Sequence, residues 1–461
     1  MGKRDGTEIM SDKIYKPRPV SGFPEWLPEY RAVELAWMDK IRAVFESYGF
    51  CSIETPAVEE IDVLLAKGGD TEKEIYTLTR LQAEEGSDKD ARLALHFDLT
   101  VPFARYTAQH FNNLVFPFKR YQIQKSWRGE RPQKGRFREF YQCDIDVINI
   151  DGLPLHFDAE LPAVMYAAYA ALDIPPVELR ISNRKIVWGY LQGLGVTDIP
   201  LVTRTLDKLD KIGPEKVVQV LVDSGMAQDM AQKCIALAGI KTEDDSFAAQ
   251  VTALSVSNEV LAEGVAELAF VMQNLAHLPK GAVKADLGII RGLDYYTGTI
   301  LEAYLKDDPK LGAIGSGGRY DDLAGSFISQ KLPGIGISLG ITRLFSKMLE
   351  AGMIQPGAKS PTHVLVVLPE EAMRPAAAKT AQALRDKGYN VEMFHSDTKL
   401  KKQLAYAEKK NIPWVWFPPF KEGQPEEVKD MTRGEQFTVD STRVHLHEKG
   451  DIICFRHAGG V

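Results

Sequence analysis

The densest chemical signal in the chain is the stretch 119–138 (KRYQIQKSWRGERPQKGRFR). It holds Lys119, Arg120, Lys125, Arg128, Arg131, Lys134, Arg136 and Arg138 against a single acid, Glu130. Unpaired charges are costly to bury, so such a loop is expected outside the core. A solvated charged hairpin is the plain reading. Aromatic and apolar residues flank the charged loop 128–137 on both sides, so rigid strands are expected to hold it. The guanidinium fork is planar and suits phosphate oxygens. A rigid arginine-rich hairpin is therefore a reasonable site for a triphosphate, a nucleic-acid backbone, or both.

Other residues could complete a site, and each also has an ordinary structural reading. Gln142 and Asp146 lie four apart in a strand-like stretch and share a face. That face could line a pocket or meet solvent. Tyr295 and Tyr296 could be sheet core. Asp98 could cap a helix starting at Leu99. Residues 315–318 (GSGG) could be a plain turn.

The positioning elements follow from periodicity. Residues 116–127 and 138–149 read as the two strands carrying the charged loop. In 26–48, Val33, Trp37, Ile41 and Phe45 recur at helical spacing, and Gly49 reads as the stop. Residues 50–64 look extended at first, with Pro56 inside, and 92–97 alternate before Asp98, Leu99 and Thr100. A helix is expected at 158–172 and a strand at 177–182. Residues 200–277 are rich in Ala, Leu, Lys and Glu with helical periodicity, as in an inserted helical lobe. Strand-like segments return at 286–304, a Gly-rich turn follows at 312–323, and 334–349 reads as strand passing into helix. Residues 351–361 are rich in Gly, Pro and Ser and read as a linker. Beyond it, strands at 362–368, 391–395 and 412–417 alternate with helices at 370–387 and 398–410, the pattern of a small α/β domain.

At 461 residues the chain exceeds one ordinary core and suits two or three domains. No apolar run reaches about 18 residues, so no membrane span is expected. The polar N-terminus does not read as a secretory signal. Cys51, Cys143, Cys234 and Cys454 lie far apart without a C-x-x-C pair, so a cytoplasmic location is expected. The net charge of −7 argues against a protein that coats nucleic acid. A local basic surface still acts over about 8–10 Å.

The motifs stand in a known order. Residues 119–146 resemble the second signature motif of class II aminoacyl-tRNA synthetases, in its histidyl form. Residues 291–297 (RGLDYYT) and 315–322 (GSGGRYDD) resemble the two histidine-specific motifs of histidyl-tRNA synthetases. Residues 334–343 (GIGISLGITR) are similar to the third class II motif, and 30–56, with Pro56, to the weak first one. The segment 362–461 resembles the family's α/β anticodon-binding domain. The resemblance implies an α+β fold: a class II antiparallel sheet of six or seven strands flanked by helices. It places an N-terminal extension at 1–25 and a catalytic domain at 26–350, with a helical insertion at about 195–280. The linker 351–361 and the anticodon-binding domain 362–461 complete it, usually in a homodimer. It also implies a histidine–tRNA ligase. Histidine and ATP, with Mg²⁺, give histidyl-adenylate and pyrophosphate, and the acyl group then moves to the 3′ end of tRNA(His).

This chemistry brings two anions together, so fixed cationic donors are required. By the resemblance, Arg128 grips the α-phosphate and the histidine carboxylate, and Arg291 aims at the same phosphate. Arg136 matches a position near the outer phosphates, Glu130 joins the ATP contacts, and Arg343 covers the adenine. Asp98 and Thr100, helped by Gln142, match acceptors for the α-ammonium. Asp146 and Tyr296 match the imidazole contacts, and Tyr295, Gly315, Gly317 and Gly318 the pocket wall. Mg²⁺ is expected on the ATP, held by phosphates and water, with no side chain assigned to it. No histidine is assigned a catalytic role, and His96 stands where eukaryotic-type members tend to have arginine. In the last domain Lys399, Lys401, Lys402, Lys409 and Lys410 make one helix basic, and Trp416, Phe417 and Phe420 are candidates for stacking on bases. The rival reading is a synthetase-like subunit that regulates the first enzyme of histidine biosynthesis. Such subunits commonly lack the tail and the catalytic arginines, whereas this chain keeps Arg128, Arg291 and Arg343.

Overall fold

The structure, a computed structural model, describes residues 15–66, 73–81, 92–131, 135–290, 296–322, 324–421 and 423–439, with backbone only at 445–446 and 452–453. Lys134, Arg291, Tyr295 and Cys454 lie outside the described residues. The chain divides into two units, Met1–Glu25 with Ala36–Ile354, and Trp26–Leu35 with Gln355–Val461.

The first unit is built on strands β1 (Cys51–Ser52), β2 (Val58–Glu60), β3 (Leu93–Leu95), β4 (Phe118–Trp127), β5 (Glu139–Ile148), β6 (Val177–Asn183), β7 (Lys241–Thr242), β8 (Val283–Asp286), β9 (Tyr296–Leu305), β10 (Gly315–Tyr320) and β11 (Gly334–Gly340). All but β2 and β3 form one sheet in the order β1-β4-β5-β11-β10-β9-β6-β8-β7. Its centre, β4 through β6, is antiparallel, while β1 and β8 join by parallel pairing. The count exceeds the expected six or seven because the two-residue pieces β1 and β7 extend the edges.

Helices α1 (Pro28–Ser47), α2 (Ile61–Leu65), α3 (Thr100–His110) and α4 (Phe157–Ala170) precede β6. The predicted stop of α1 is real: Gly49 has φ +80°, a left-handed conformation that glycine adopts without strain. Trp37 of α1 packs edge-on against Phe345, with ring centroids 5.4 Å apart. Helix α5 (Arg184–Gly193), which is not among the expected elements, follows β6, and the segment 200–277 expected to be helical holds α6 (Ile199–Leu206), α7 (Leu209–Ile212), α8 (Pro214–Asp223), α9 (Gln228–Ala238), α10 (Phe247–Ala253) and α11 (Glu259–Asn274). After β11 comes α12 (Ile341–Glu350), as the strand-into-helix pattern predicts.

Alternation decides the faces of β5. Cys143, Ile145 and Val147 are buried on one face, leaving Gln142, Asp144 and Asp146 on the other. The Gly-rich segment expected as a turn is strand β10, hydrogen-bonded on both sides to β9 and β11. Crowding explains the glycines. A Cβ on Gly317 would lie 2.2 Å from the Gly336 oxygen, and one on Gly315 would lie 2.5 Å from Tyr169 Oη. Glycine in a strand here marks close approach rather than a bend.

The second unit contains β12 (Val364–Val366), α13 (Arg374–Arg385), β13 (Val391–Met393), α14 (Leu400–Lys410), β14 (Trp414–Phe417), β15 (Glu426–Asp430) and β16 (Gln436–Val439). Its sheet runs β13-β12-β14-β15-β16, parallel across the first three strands and antiparallel beyond. Residues 364–368, Trp416 and Val428 form its apolar core. Trp416 is 0% exposed and Phe417 is buried, while Phe420 packs against the same core. Burial therefore removes Trp416 and Phe417 as base-stacking surfaces. Lys399, Lys401, Lys402 and Lys409 are exposed, and Lys410 pairs with Glu392 at 2.9 Å.

Candidate active site

A cavity of about 410 Å³ lies over β5, β11 and β10, with Tyr296 of β9 also lining it. Its floor is set by strand register. Arg120, Gln122 and Gln124 of β4 stand opposite Asp146, Asp144 and Gln142 of β5, which stand opposite Gly336, Ser338 and Gly340 of β11.

Arg120 corrects the expectation that the basic segment stays out of the core. Its side chain is 0% exposed. Its Nη2 lies 2.5 Å from Asp146 Oδ2, and its guanidinium sits 4.3 Å from the Phe103 ring centroid. A partner from the neighbouring strand offsets the burial cost, and sequence spacing alone does not reveal that partner. Tyr320 Oη donates to the other Asp146 oxygen at 2.9 Å. Burial, then the Asp146 charge, push the Tyr320 phenol well up, so it stays a donor. Space at this carboxylate is tight, since a Cβ on Gly336 would lie 2.0 Å from Asp146 Oδ1.

One row along, Gln142 Nε2 donates to Ser338 Oγ at 2.9 Å, and Ser338 hydrogen-bonds the Asp144 carboxyl. Burial pushes Asp144 up to about 7. Arg120 and Ser338 oppose that rise, while Asp146 and Asp98 add to it. Asp98 stands just before α3, which starts at Thr100 rather than at Leu99. Its Oδ1 accepts from the Val101 amide at 3.1 Å, at the start of α3, and the residue also lines the cavity.

The opposite end is cationic. Arg128 Nε donates to the Phe97 oxygen at 3.1 Å, and its guanidinium lies 5.1 Å from the Phe140 centroid. Arg136 pairs with Glu130. Arg343 Nη1 donates to the Ala313 oxygen at 3.2 Å, and Nη2 to the Leu311 oxygen. Burial, then the charge of Arg136, push the Arg343 guanidinium down. Burial, then Glu130, push the Glu74 carboxyl up. The gathered arginines favour a polyanion.

Asp98, Thr100, Gln142, Asp146 and Tyr296 all face this cavity, as do Arg128, Glu130, Arg136 and Arg343. Gly315 lines it through its backbone, since a side chain there would point at Tyr169. Gly317 is not among the lining residues, and its Cβ direction meets Ile337 and the Gly336 oxygen. A Cβ on Gly318 would lie 2.9 Å from the Tyr296 ring. His96 is buried away from the lining. Its Nδ1 is 3.1 Å from the Pro56 oxygen, its Nε2 is 2.7 Å from the Lys125 oxygen, and its ring packs on Trp127. Glu74, Arg120, Asp144, Tyr320 and Ser338 were not picked out as site residues by sequence reasoning. Asp144 was within reach, because it shares the period-two face of Gln142 and Asp146.

A family model described as histidyl-tRNA synthetase matches residues 22–344, and one described as an anticodon binding domain matches 363–445. Sheet, cavity and second unit together are the architecture of a class II aminoacyl-tRNA synthetase. A histidine–tRNA ligase of Thermobifida fusca is 56% identical over 433 residues, covering 94% of this chain and 99% of the relative. The crystal structure of histidyl-tRNA synthetase from Nostoc sp. PCC 7120 matches with TM-score 0.83 and 39% identity, covering 93% of this chain and 98% of that one. The chain belongs to the histidyl-tRNA synthetase family. A Bacillus halodurans chain titled an ATP phosphoribosyltransferase regulatory subunit/histidyl-tRNA synthetase shares the fold at TM-score 0.72 and 20% identity, over 88% of this chain and 99% of that one.

Proposed function

We propose that the cavity floor binds histidine and that its arginine end binds ATP, so that the carboxylate meets the α-phosphate between them. The activity is that of a histidine–tRNA ligase, with ATP, histidine and tRNA as substrates. The observation that carries the site reading is Asp146, fixed by Arg120 and Tyr320 on the floor, with Arg128, Arg136 and Arg343 at the other end. A carboxylate with both oxygens already held accepts a ring N–H in one orientation only. Tyr296 completes that subsite. A pocket that pairs polar ring atoms rejects apolar isosteres by ~10⁴ or more.

Asp98, Thr100 and Gln142 receive the α-ammonium. Arg128 and Arg291 hold the carboxylate and α-phosphate against each other's charge as the oxygen attacks phosphorus and pyrophosphate leaves. Arg136 and Glu130 serve the nucleotide beside them, and Arg343 covers the adenine. Gly315 forms part of the wall through its backbone, and Tyr295 is assigned to the same wall by the family motif. Mg²⁺ enters with the triphosphate as part of the substrate. Among the described residues no group of three or more His, Cys, Asp or Glu could hold a metal ion.

The domains assigned to this work are an extension (1–25), a catalytic domain (26–350) with an insertion at about 195–280, a linker (351–361) and an anticodon-binding domain (362–461). The last presents the lysines of α14 to tRNA. The working form is a homodimer in the cytoplasm. Among the described residues no helix is long and apolar enough to cross a membrane. The regulatory alternative shares the fold, so cavity residues must separate the two, and Arg128 and Arg343 are kept here.

ATP–pyrophosphate exchange with each of the twenty amino acids tests the reading. Histidine alone is expected to support exchange. Exchange with none, or as much with another amino acid, would reject the site assignment.

A further inference from the structure

Two buried acceptors beside the cavity lack a donor among the described residues. Asp144 Oδ1 and Gln142 Oε1 are buried and have no hydrogen-bond partner among the described residues. Both side chains line the cavity, and Asp144 is only 3% exposed. Their orientation is imposed by one hydroxyl. Ser338 Oγ takes the Gln142 Nε2 hydrogen at 2.9 Å and is hydrogen-bonded to the Asp144 carboxyl. The remaining acceptor of each residue is thereby left over for a ligand. Buried polar atoms are rarely left unmatched, and those that are call for a functional reason.

The charges point the same way. Besides its burial, Asp144 feels Arg120 on β4, then Asp146 on its own strand and Asp98 before α3. Arg120 is already engaged with Asp146 at 2.5 Å. The floor therefore holds more carboxyls than cations, and a compact cation with several N–H donors would relieve both deficits.

We propose that Asp144 is a further substrate-binding residue, which together with Gln142 Oε1 accepts hydrogens of the α-ammonium of the amino-acid substrate. The assignment rests on the histidine site proposed above and adds a residue to it. Asp98 and Asp144 then flank the ammonium from the α3 and β5 sides, and Asp146 is left to the imidazole. Burial raises the Asp144 pKa to about 7, so a cation beside it should drive a proton off as histidine binds near neutral pH.

Calorimetric binding of L-histidine and of desamino-histidine, 3-(imidazol-4-yl)propanoate, to the full chain and to Asp144→Asn tests this. The variant keeps the side-chain size and its link to Ser338. Histidine affinity should fall about 10- to 100-fold, the scale of a lost charged hydrogen bond. Affinity for the desamino compound should change by less than about threefold. Proton release on histidine binding, read from buffers of different ionisation heat at pH 7, should be smaller in the variant. Equal losses for the two ligands, or no loss for either, overturn the proposal alone. A wild-type chain that binds neither ligand overturns the histidine site itself. Should Asp144→Asn not fold, Ser338→Ala, which frees the carboxyl to turn away, is expected to give the same selective loss at a smaller size. A loss shared by both ligands would again overturn the proposal.

Discussion

The two sheets of this protein bury very different things. In the second unit the interior is mainly apolar, with Gln403 tied to the Leu368 backbone: residues 364–368 and Trp416 pack together, and the Trp416 indole N–H has no acceptor among the described residues. The cationic groups stand outside, on the exposed face of α14. In the first unit the central strands carry Arg120, Gln122, Gln142, Asp144 and Asp146 into burial, next to a cavity. The first sheet gives up stability to hold charges in fixed geometry, whereas the second is ordinary packing that displays a surface. Where chemistry is done at a sheet face, the polar groups have to be built into the core beneath it.

Replacing one partner of the floor pair should break this contrast most severely. Arg120→Met leaves the Asp146 carboxylate buried without its cation and is expected to cost about 3–5 kcal/mol of stability. Trp416→Ala should cost a similar ~3–5 kcal/mol through a cavity. Denaturation paired with pyrophosphate exchange separates the two, because Trp416→Ala should leave exchange near normal and Arg120→Met should not. If Arg120→Met is as stable as the parent, the pair is not holding the floor together.

Next in size is a transition-state effect without a stability effect. Arg291→Ala should fold normally and lose about 10²–10³-fold in exchange, the usual result of removing a preorganised donor. Near-normal exchange would reject its catalytic role.

A smaller effect should appear in stability against pH. The Asp144 carboxyl is raised in the folded chain from 3.8 to about 7, so the unfolded state releases this proton first as pH rises. Folding stability should therefore fall as pH rises between those two values and level off above. Arg120, Asp146, Asp98 and Ser338 are the groups that face it. Asp144→Asn should flatten that slope, and an unchanged slope would mean that the residue does not titrate there.

The smallest change belongs to the second unit. Replacing Lys401, Lys402 and Lys409 together by alanine should lower tRNA charging about 3- to 10-fold and weaken its salt dependence, with exchange unchanged. Equal loss in exchange would show that α14 acts on the first unit's chemistry rather than on tRNA.

Much of the architecture was legible from local pattern. The β4–β5 hairpin, α1 with its Gly49 stop, the helical lobe and the alternation of the second unit all appear close to where periodicity put them. Local chemistry announces these elements because apolar spacing and backbone preference act within a few residues. The misreadings share one cause. The glycines of β10 look like a turn until two neighbouring strands surround them, and Trp416 looks like a stacking surface until a core closes over it.

Taken alone, the sequence determined the order of the elements, the family motifs and the residue types available for phosphate and imidazole. Only the folded sheet decided that Arg120 is a buried partner of Asp146 rather than part of a solvated loop, and that Ser338 links Gln142 to Asp144. Those facts depend on which residues of distant strands stand in register. A charge's worth depends on its partner and its exposure, and neither is a property of the residue itself.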